Sequence, residues 1–366
     1  MNRQPVVALL GRRDWPTDAV EEYCQHLGEA LADLGFGLEL RRVPWDQHGW
    51  SASLEALRLQ AASWQGRWIL VQYTALAWSA RGVPQRFLAV MRILRKAGAR
   101  IAVVFHDAEP FGGMRFVDWL RRMLQGRIMR AAVAFSDCSV LTVPATSLSW
   151  LGGAPNNSVF IPVGANLPQS LANQDHGNLH DPPTVAVFSI TGGGPGETET
   201  RQIIEVMRFA AGKVGRLRLL VFGRHAEIRE TSLREGLQGL PVELQVEGVI
   251  DGQEVVKRLE ASDVLLFLRG AISSRRSSAI AGIACGMPVV GLCGAETAAP
   301  ITMAGTVLVD GELSGEAQKE AIAQALVRVL TEDNLRRRLA EKSRAAQEQF
   351  FSWPAIAEAF TRILRS

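Results

Sequence analysis

The sequence predicts an α/β protein of two domains, each a doubly wound parallel sheet, facing each other across a central cleft. Three observations predict it. Apolar strand-like runs alternate with helix-period segments from end to end, the pattern of parallel strands covered on both faces. At 366 residues the chain is long enough for two separate cores. The texture changes once, at Pro168 to Pro183 (PQSLANQDHGNLHDPP), a polar stretch with three prolines that reads as an interdomain linker.

In the first half the strand runs are Val6–Leu10, Leu38–Arg42, Trp68–Tyr73, Ile101–Phe105, Ser139–Val143 and Val159–Ile161. Helix periodicity is clearest over Ala19–Leu34, Leu54–Trp64, Val83–Lys96 and Phe116–Ala132, with Gly35 and Gly98 placed as helix-ending glycines. The second half repeats the scheme with strands Thr184–Ser189, Leu217–Phe222, Val242–Val246, Val264–Leu268, Pro288–Leu292 and Thr306–Val309. The tail from Gly315 to Ser366 is helical, broken near Phe351-Ser352-Trp353-Pro354. Domain limits follow at 1–167 and 184–350, with the linker at 168–183 and a terminal helix at 351–366.

Bulk properties narrow the function. A net charge of +3 gives no electrostatic case for nucleic acid. No run of 18 residues is uniformly apolar, and the apolar stretch in MNRQPVVALLGRRDW is too short and too soon charged for a secretion signal, so a cytoplasmic protein is expected. The four cysteines are scattered and the six histidines have no ligand spacing, which argues for free thiols and against a metal.

The chemistry concentrates at strand ends, where doubly wound sheets place their ligands. The most informative stretch is Ser262–Gly291: a buried strand, a basic turn, a small-residue helix from Ser277, and a second strand. The helix start offers unpaired N–H groups and the positive end of its dipole; Arg275 and Arg276 add charge, and Ser273, Ser274, Ser277 and Ser278 add donors, so an anion such as phosphate is expected. Arg269 and Arg224 stand at the ends of two strands, suited to a forked grip on a diphosphate. The loop Ile190–Gly196 lets backbone amides come close to an anion through Gly192 and Gly193, beside Thr191, ahead of a helix whose cap is expected at Thr198 or Thr200. In the first half, His106 ends a buried strand beside Asp107 and Glu109, a place for sugar hydroxyls or proton handling. The first strand–helix loop, Gly11–Asp18, carries Arg12, Trp15 and Thr17 and ends in a cap, Thr17 or Asp18. Helix Phe116–Ala132 is basic and amphipathic; such a helix can lie on anionic lipid as a peripheral membrane contact, but more often its apolar stripe is simply core.

Four ordered segments carry a resemblance. Phe105-His106-Asp107, Val159-Phe160-Ile161-Pro162-Val163-Gly164-Ala165-Asn166, Ala284-Cys285-Gly286-Met287-Pro288-Val289-Val290 and Phe351-Ser352-Trp353-Pro354-Ala355-Ile356-Ala357 are similar to four motifs of GT-B glycosyltransferases of the retaining family-4 type. The resemblance implies two Rossmann-like domains, an acceptor side in the first and a nucleotide-sugar side in the second, and a terminal helix that returns to the first. It implies that His106 contacts the donor sugar, that Gly248-Val249-Ile250 hold the base, and that the diphosphate is held without a metal. The family's paired glutamates fall at Ser273 and Ala281, its Arg…Lys pair is replaced by the Thr191–Gly196 loop, and its first glycine pair is missing.

The function expected is transfer of a hexose from a nucleoside diphosphate sugar to a hydroxyl acceptor, with retention and without a cofactor. His106, Asp107, Arg224 and Arg275 are the candidate catalytic groups, and the acceptor enters over Arg12, Trp15, Thr17, Trp78 and Glu109. Two alternatives stand beside it: an inactive subunit that binds a partner glycosyltransferase, and a sugar-nucleotide epimerase. No lysine lies near Ser273–Ser278 to hold pyridoxal phosphate.

Overall fold

A computed structural model describes residues 3–113, 115–168 and 179–366. Most of the expected linker, 169–178, lies outside the described residues. The chain forms two units, Met1–Val163 with Trp353–Ser366, and Gly164–Ser352.

The first unit runs β1 (Gln4–Leu10), α1 (Ala19–Asp33), β2 (Phe36–Arg42), α2 (Trp45–Ala61), β3 (Trp68–Tyr73), α3 (Phe87–Lys96), β4 (Arg100–Phe105), α4 (Phe116–Phe135), β5 (Cys138–Leu141) and β6 (Ser158–Phe160). All six strands pair in parallel, in the order β2-β1-β3-β4-β5-β6. The strands are apolar because helices cover both faces; β3 is buried along its whole length. Asp18 caps α1, accepting from the N–H groups of Val20 and Glu21 at 3.2 Å, and Gly35 ends it at φ 89°. Helix α2 begins nine residues before the periodic segment, because Gly49 at φ 74° kinks it and breaks the apolar period there. Helix α3 starts at Phe87 rather than Val83, since Gly82 and Pro84 hold the preceding residues in turns.

The second unit runs β7 (Thr184–Phe188), α5 (Gly193–Val214), β8 (Leu217–Phe222), α6 (Ala226–Leu237), β9 (Val242–Val246), α7 (Gly252–Glu260), β10 (Val264–Ala271), α8 (Ser277–Ala284), β11 (Val289–Cys293), β12 (Thr306–Asp310), α9 (Gly315–Thr331) and α10 (Asp333–Ala346). Its sheet is again all parallel, ordered β12-β11-β10-β7-β8-β9. Helix α5 starts at Gly193 with Gly192 as its cap residue, so neither Thr198 nor Thr200 caps it. Pro195 sits in the first turn, where its missing N–H costs nothing, and Thr200 donates back to Gly196 O. Strand β10 outruns the expected Leu268 end: a register irregularity between Phe267 and Ala271, with Gly270 at φ 85°, carries it to Ala271.

The chain closes with α11 (Trp353–Leu364), which belongs to the first unit. There the Trp353 ring meets Tyr23 edge-on and stacks on His26, and Trp68 Nε1 donates to Leu364 O at 3.1 Å. Among the described residues no helix is long and apolar enough to cross a membrane.

Candidate functional site

Each sheet reverses its strand order once, between β1 and β3 in the first unit and between β7 and β10 in the second. Loops diverge at such a point and leave a crevice at the carboxyl ends of the strands.

In the first unit that crevice is a cavity of about 230 Å³, lined among others by Arg12, Asp14, Asp18, Arg42, Gln72 and Asp107. Gly11 lets its walls close: a Cβ there would sit 2.2 Å from Ala77 O, the oxygen that accepts from Arg12 N at 2.9 Å and Trp45 Nε1 at 2.8 Å. Arg42, at the carboxyl end of β2, reaches Gly11 O at 2.8 Å, Asp18 at 3.0 Å and Glu21 at 3.1 Å. Its charge is fully compensated.

His106 lies alongside, its Nε2 2.7 Å from Gln72 Oε1 and its ring edge-on to Tyr23. Gln72 Nε2 donates to Leu70 O at 3.2 Å, so its Oε1 accepts from His106 and leaves Nδ1 as the basic nitrogen. Burial lowers the imidazole pKa from 6.5 to about 4 against the opposing pull of Asp18, so the ring is neutral at physiological pH. Asp107 lines the cavity and accepts from Ala75 N at 2.6 Å. Glu109 is turned to Ser149, binding its N–H and hydroxyl. Thr17 is half-buried, outside the cavity lining, and Trp15 stands 72% exposed. Trp78 departs from expectation. Only 1% exposed, it donates Nε1 to Gln72 O at 2.8 Å and packs on Phe87, so it is core and cannot meet an acceptor.

In the second unit the loops after β7, β8 and β9 are tied together. Ser189 N donates to Phe222 O, Ile190 N to Arg224 O and Arg224 N to Ser189 Oγ, while Gly223 N donates to Gly248 O. Gly196 permits the sharp entry to α5, since a Cβ there would overlap Thr191 O. Thr191 N donates to Glu199 Oε2 at 2.9 Å, and Arg229 donates to Gly193 O at 2.6 Å. Glu199 is buried; burial raises its pKa against the pull of Thr191, Arg269 and Arg229, and its Oε1 has no hydrogen-bond partner among the described residues. Val249 is exposed beside half-buried Gly248 and Ile250.

After β10, Arg275 does not present a free fork. Its Nε and Nη2 grip both oxygens of Glu296 at 2.7 and 2.9 Å, and Ser273 Oγ adds a third bond at 3.1 Å. Burial opposes ionisation of Glu296, but these partners and Arg276 outweigh it and lower its pKa. Thr297 pins the Glu296 loop, donating to Ile272 O at 2.6 Å. Ser273 and Ser274 are both buried and hold the turn rather than face a ligand. Arg276, the cap residue of α8, has an Nε without a hydrogen-bond partner among the described residues, as does Arg229 beside the start of α5. Burial, reinforced by Arg275 and Arg269 and opposed by Glu296, brings the Arg276 pKa down to about 10. Arg269, beside Ser278 Oγ at 3.4 Å, is likewise lowered by burial and by Arg224, with Glu199 opposing. These guanidinium groups crowd each other at the start of α8, which no side chain caps, beside half-buried Ser277 and Ser278. Among the described residues no three His, Cys, Asp or Glu side chains converge as a metal site requires.

No protein-family model and no curated protein matches the chain. Solved structures do. HepE from Anabaena, in complex with UDP and glucose, aligns over 99% of this chain and 100% of its own with a TM-score of 0.66 at 13% identity. A glycosyltransferase from Rickettsia africae aligns over 100% and 98% with a TM-score of 0.69 at 12% identity. The fold is GT-B. WaaG, a glycosyltransferase of lipopolysaccharide biosynthesis, aligns over 98% and 99% (TM-score 0.58, 14% identity). The same fold includes a UDP-N-acetylglucosamine 2-epimerase-like protein of Listeria monocytogenes, aligned over 100% and 96% with a TM-score of 0.63 at 13% identity.

Proposed function

We infer that the chain is a glycosyltransferase that moves a hexose from a nucleoside diphosphate sugar to a hydroxyl acceptor, with retention and without a metal, akin to the family-4 enzymes. The observation that carries this reading is the cluster of half-buried guanidinium groups at the switch point of the second sheet: Arg276 as the cap residue of α8, and Arg269 beside Ser278 Oγ and near Arg224. Cations crowded and desolvated in this way are stabilised by a dianionic ligand, and a leaving diphosphate gains negative charge as its bond to the sugar breaks. Fixed guanidinium groups and helix dipoles can supply that potential. Two solved relatives in fold, HepE and WaaG, are described with UDP and with glycosyl transfer, which supports a sugar nucleotide as the donor.

In the first unit, neutral His106 offers Nδ1 to a hydroxyl hydrogen, while Arg12 and Asp107 line a cavity of sugar size for the acceptor side. Calorimetric titration of the whole chain against UDP-, GDP-, ADP- and dTDP-sugars tests the reading. One donor is expected to bind; silence across the panel from folded protein overturns it. Product analysis with the bound donor and no acceptor then separates the alternatives, since an epimeric sugar nucleotide would mark an epimerase, and a donor that is bound but never turned over would mark an inactive subunit.

A further inference from the structure

The carboxyl edge of the second sheet continues past its switch point from β7 through β8 to β9. Its far end lies two strand spacings from β7, roughly 10 Å. A nucleotide whose diphosphate sits at the switch point reaches that far with its base.

The turn from β8 into α6 crosses this edge. His225 holds a left-handed backbone, φ 63°, without being glycine, a conformation that persists only where the surroundings over-determine it. Its ring rests on Gly192, where a Cβ would lie 3.1 Å from His225 Nε2. Two residues on, Glu227 rests on Gly248 in the same way. A Cβ at Gly248 would overlap the Glu227 carboxylate, so glycine makes the room for that group. Gly248 is itself fixed, since its carbonyl accepts from Gly223 N at 2.9 Å.

Other carboxylates around the end of β9 are occupied. Glu247 accepts from Arg258 Nε at 3.0 Å and from Gln245 at 2.6 Å. Asp251 caps α7, accepting from the N–H groups of Gln253 and Glu254, and Glu230 is gripped by Arg234. Glu227 is exposed and has no ion-pair or hydrogen-bond partner among the described residues. Ile228, next to Glu227, and Val249, next to Gly248, are exposed and apolar, surface that suits the face of a planar ring.

We propose that Glu227 selects a guanine base, so that the donor is a GDP-sugar; the inference rests on the donor reading given above. An ionised carboxylate only accepts hydrogen bonds, and it does so best in pairs. Guanine offers two donors side by side, its ring N1–H and its exocyclic amine. Uracil offers one N–H between two carbonyl oxygens, which a carboxylate repels. Adenine and cytosine each set an amine beside a bare ring nitrogen, so one carboxylate oxygen would face a lone pair. This chain would therefore part from HepE, which is described with UDP.

The test is calorimetric titration of the full chain with GDP, inosine diphosphate, UDP and ADP, for the parent and for Glu227→Gln. The parent should bind GDP at least tenfold tighter than UDP or ADP. Inosine diphosphate, which lacks the exocyclic amine, should bind at least fivefold more weakly than GDP, because one carboxylate oxygen loses its partner. Glu227→Gln keeps the size of the side chain and turns one acceptor into a donor. It should weaken GDP at least tenfold and leave UDP within twofold, which also shows that the site is still folded. A parent that binds UDP or ADP as tightly as GDP overturns the proposal and leaves the donor reading standing. So does a Glu227→Gln variant that keeps the preference for GDP. Absence of binding to all four by folded protein removes the donor reading, and this inference with it.

Discussion

The carboxyl edges of the two sheets are made from the same strand–loop–helix repeat, yet they handle charge in opposite ways. In the first unit Arg42 is met by Gly11 O, Asp18 and Glu21, and His106 is held neutral by burial. In the second unit Arg275 is matched by Glu296, but Arg269 and Arg276 stay desolvated, near each other and near Arg224. Compensated charge stiffens a wall and shapes a cavity. Charge that its carboxylates only partly offset, as Glu199 does for Arg269 and Glu296 for Arg276, stores an electrostatic cost that an arriving anion removes, and the difference therefore separates residues that hold the fold from residues that hold a ligand.

The largest expected effect tests the first half of that contrast. Arg42→Ala should leave buried Asp18 without its counter-ion and destabilise the first unit by about 3 kcal/mol, read as a lower urea midpoint. Arg276→Ala should do the reverse. It relieves repulsion, so stability should hold or rise, while donor affinity in calorimetry falls about a hundredfold, roughly 2.7 kcal/mol. If Arg276→Ala unfolds the chain, or Arg42→Ala leaves stability unchanged, the contrast fails.

The parts of this architecture that the sequence displays are those fixed by local periodicity. The twelve strand runs match strands to within a few residues because both faces of each sheet are covered, which writes continuous apolar stretches into the chain. Arg224 and Arg269 were legible by position, as cations at strand ends. Arg42 carries the same signal at the end of β2 and could have been found by it. Glu296 could not: it acts 21 residues from Arg275 through a loop pinned by Thr297, and no local pattern reveals which distant carboxylate a fold brings to an arginine. Trp78 misled because a tryptophan in a loop after a strand invites placement with the acceptor, whereas the Gln72 carbonyl satisfies its indole N–H and allows full burial. The start of α5 misled for a related reason. Thr198 and Thr200 could serve as caps, but the helix begins earlier, at Gly193, because Gly196 accepts a close approach of Thr191 O that any side chain would block.

His106 gives a pH signature of intermediate size. Its folded pKa, about 4, lies below the 6.5 of the unfolded chain, so as pH falls the unfolded state binds a proton first. Stability is complete above pH 6.5 and is lost between 6.5 and about 4, by about 2 kcal/mol once partial solvent access is allowed for. His106→Gln should flatten this part of the curve, measured as the difference in urea midpoints between pH 7 and 4.5. An unchanged slope would mean that the imidazole is not held neutral, and the two edges would then be less different than the geometry indicates.

The smallest effect sharpens the comparison most, because it concerns a negative charge inside the positive edge. Glu199 is an acid whose folded pKa is raised, so its protonated form is favoured by folding and stability falls as pH rises from 4.5 through the folded value. Glu199→Gln imitates the protonated acid, and its amide oxygen can still accept from Thr191 N. At pH 7 the variant should be as stable as the parent or more so by about 1 kcal/mol, a gain that disappears below pH 4.5. Donor affinity should rise a few-fold, since the substitution removes a carboxylate that now partly offsets Arg269. The sign is what matters. A loss of affinity in Glu199→Gln, with the fold intact, would mean that the carboxylate itself binds the ligand, and the second edge would have to be read as a balanced polar site like the first rather than as a cationic one.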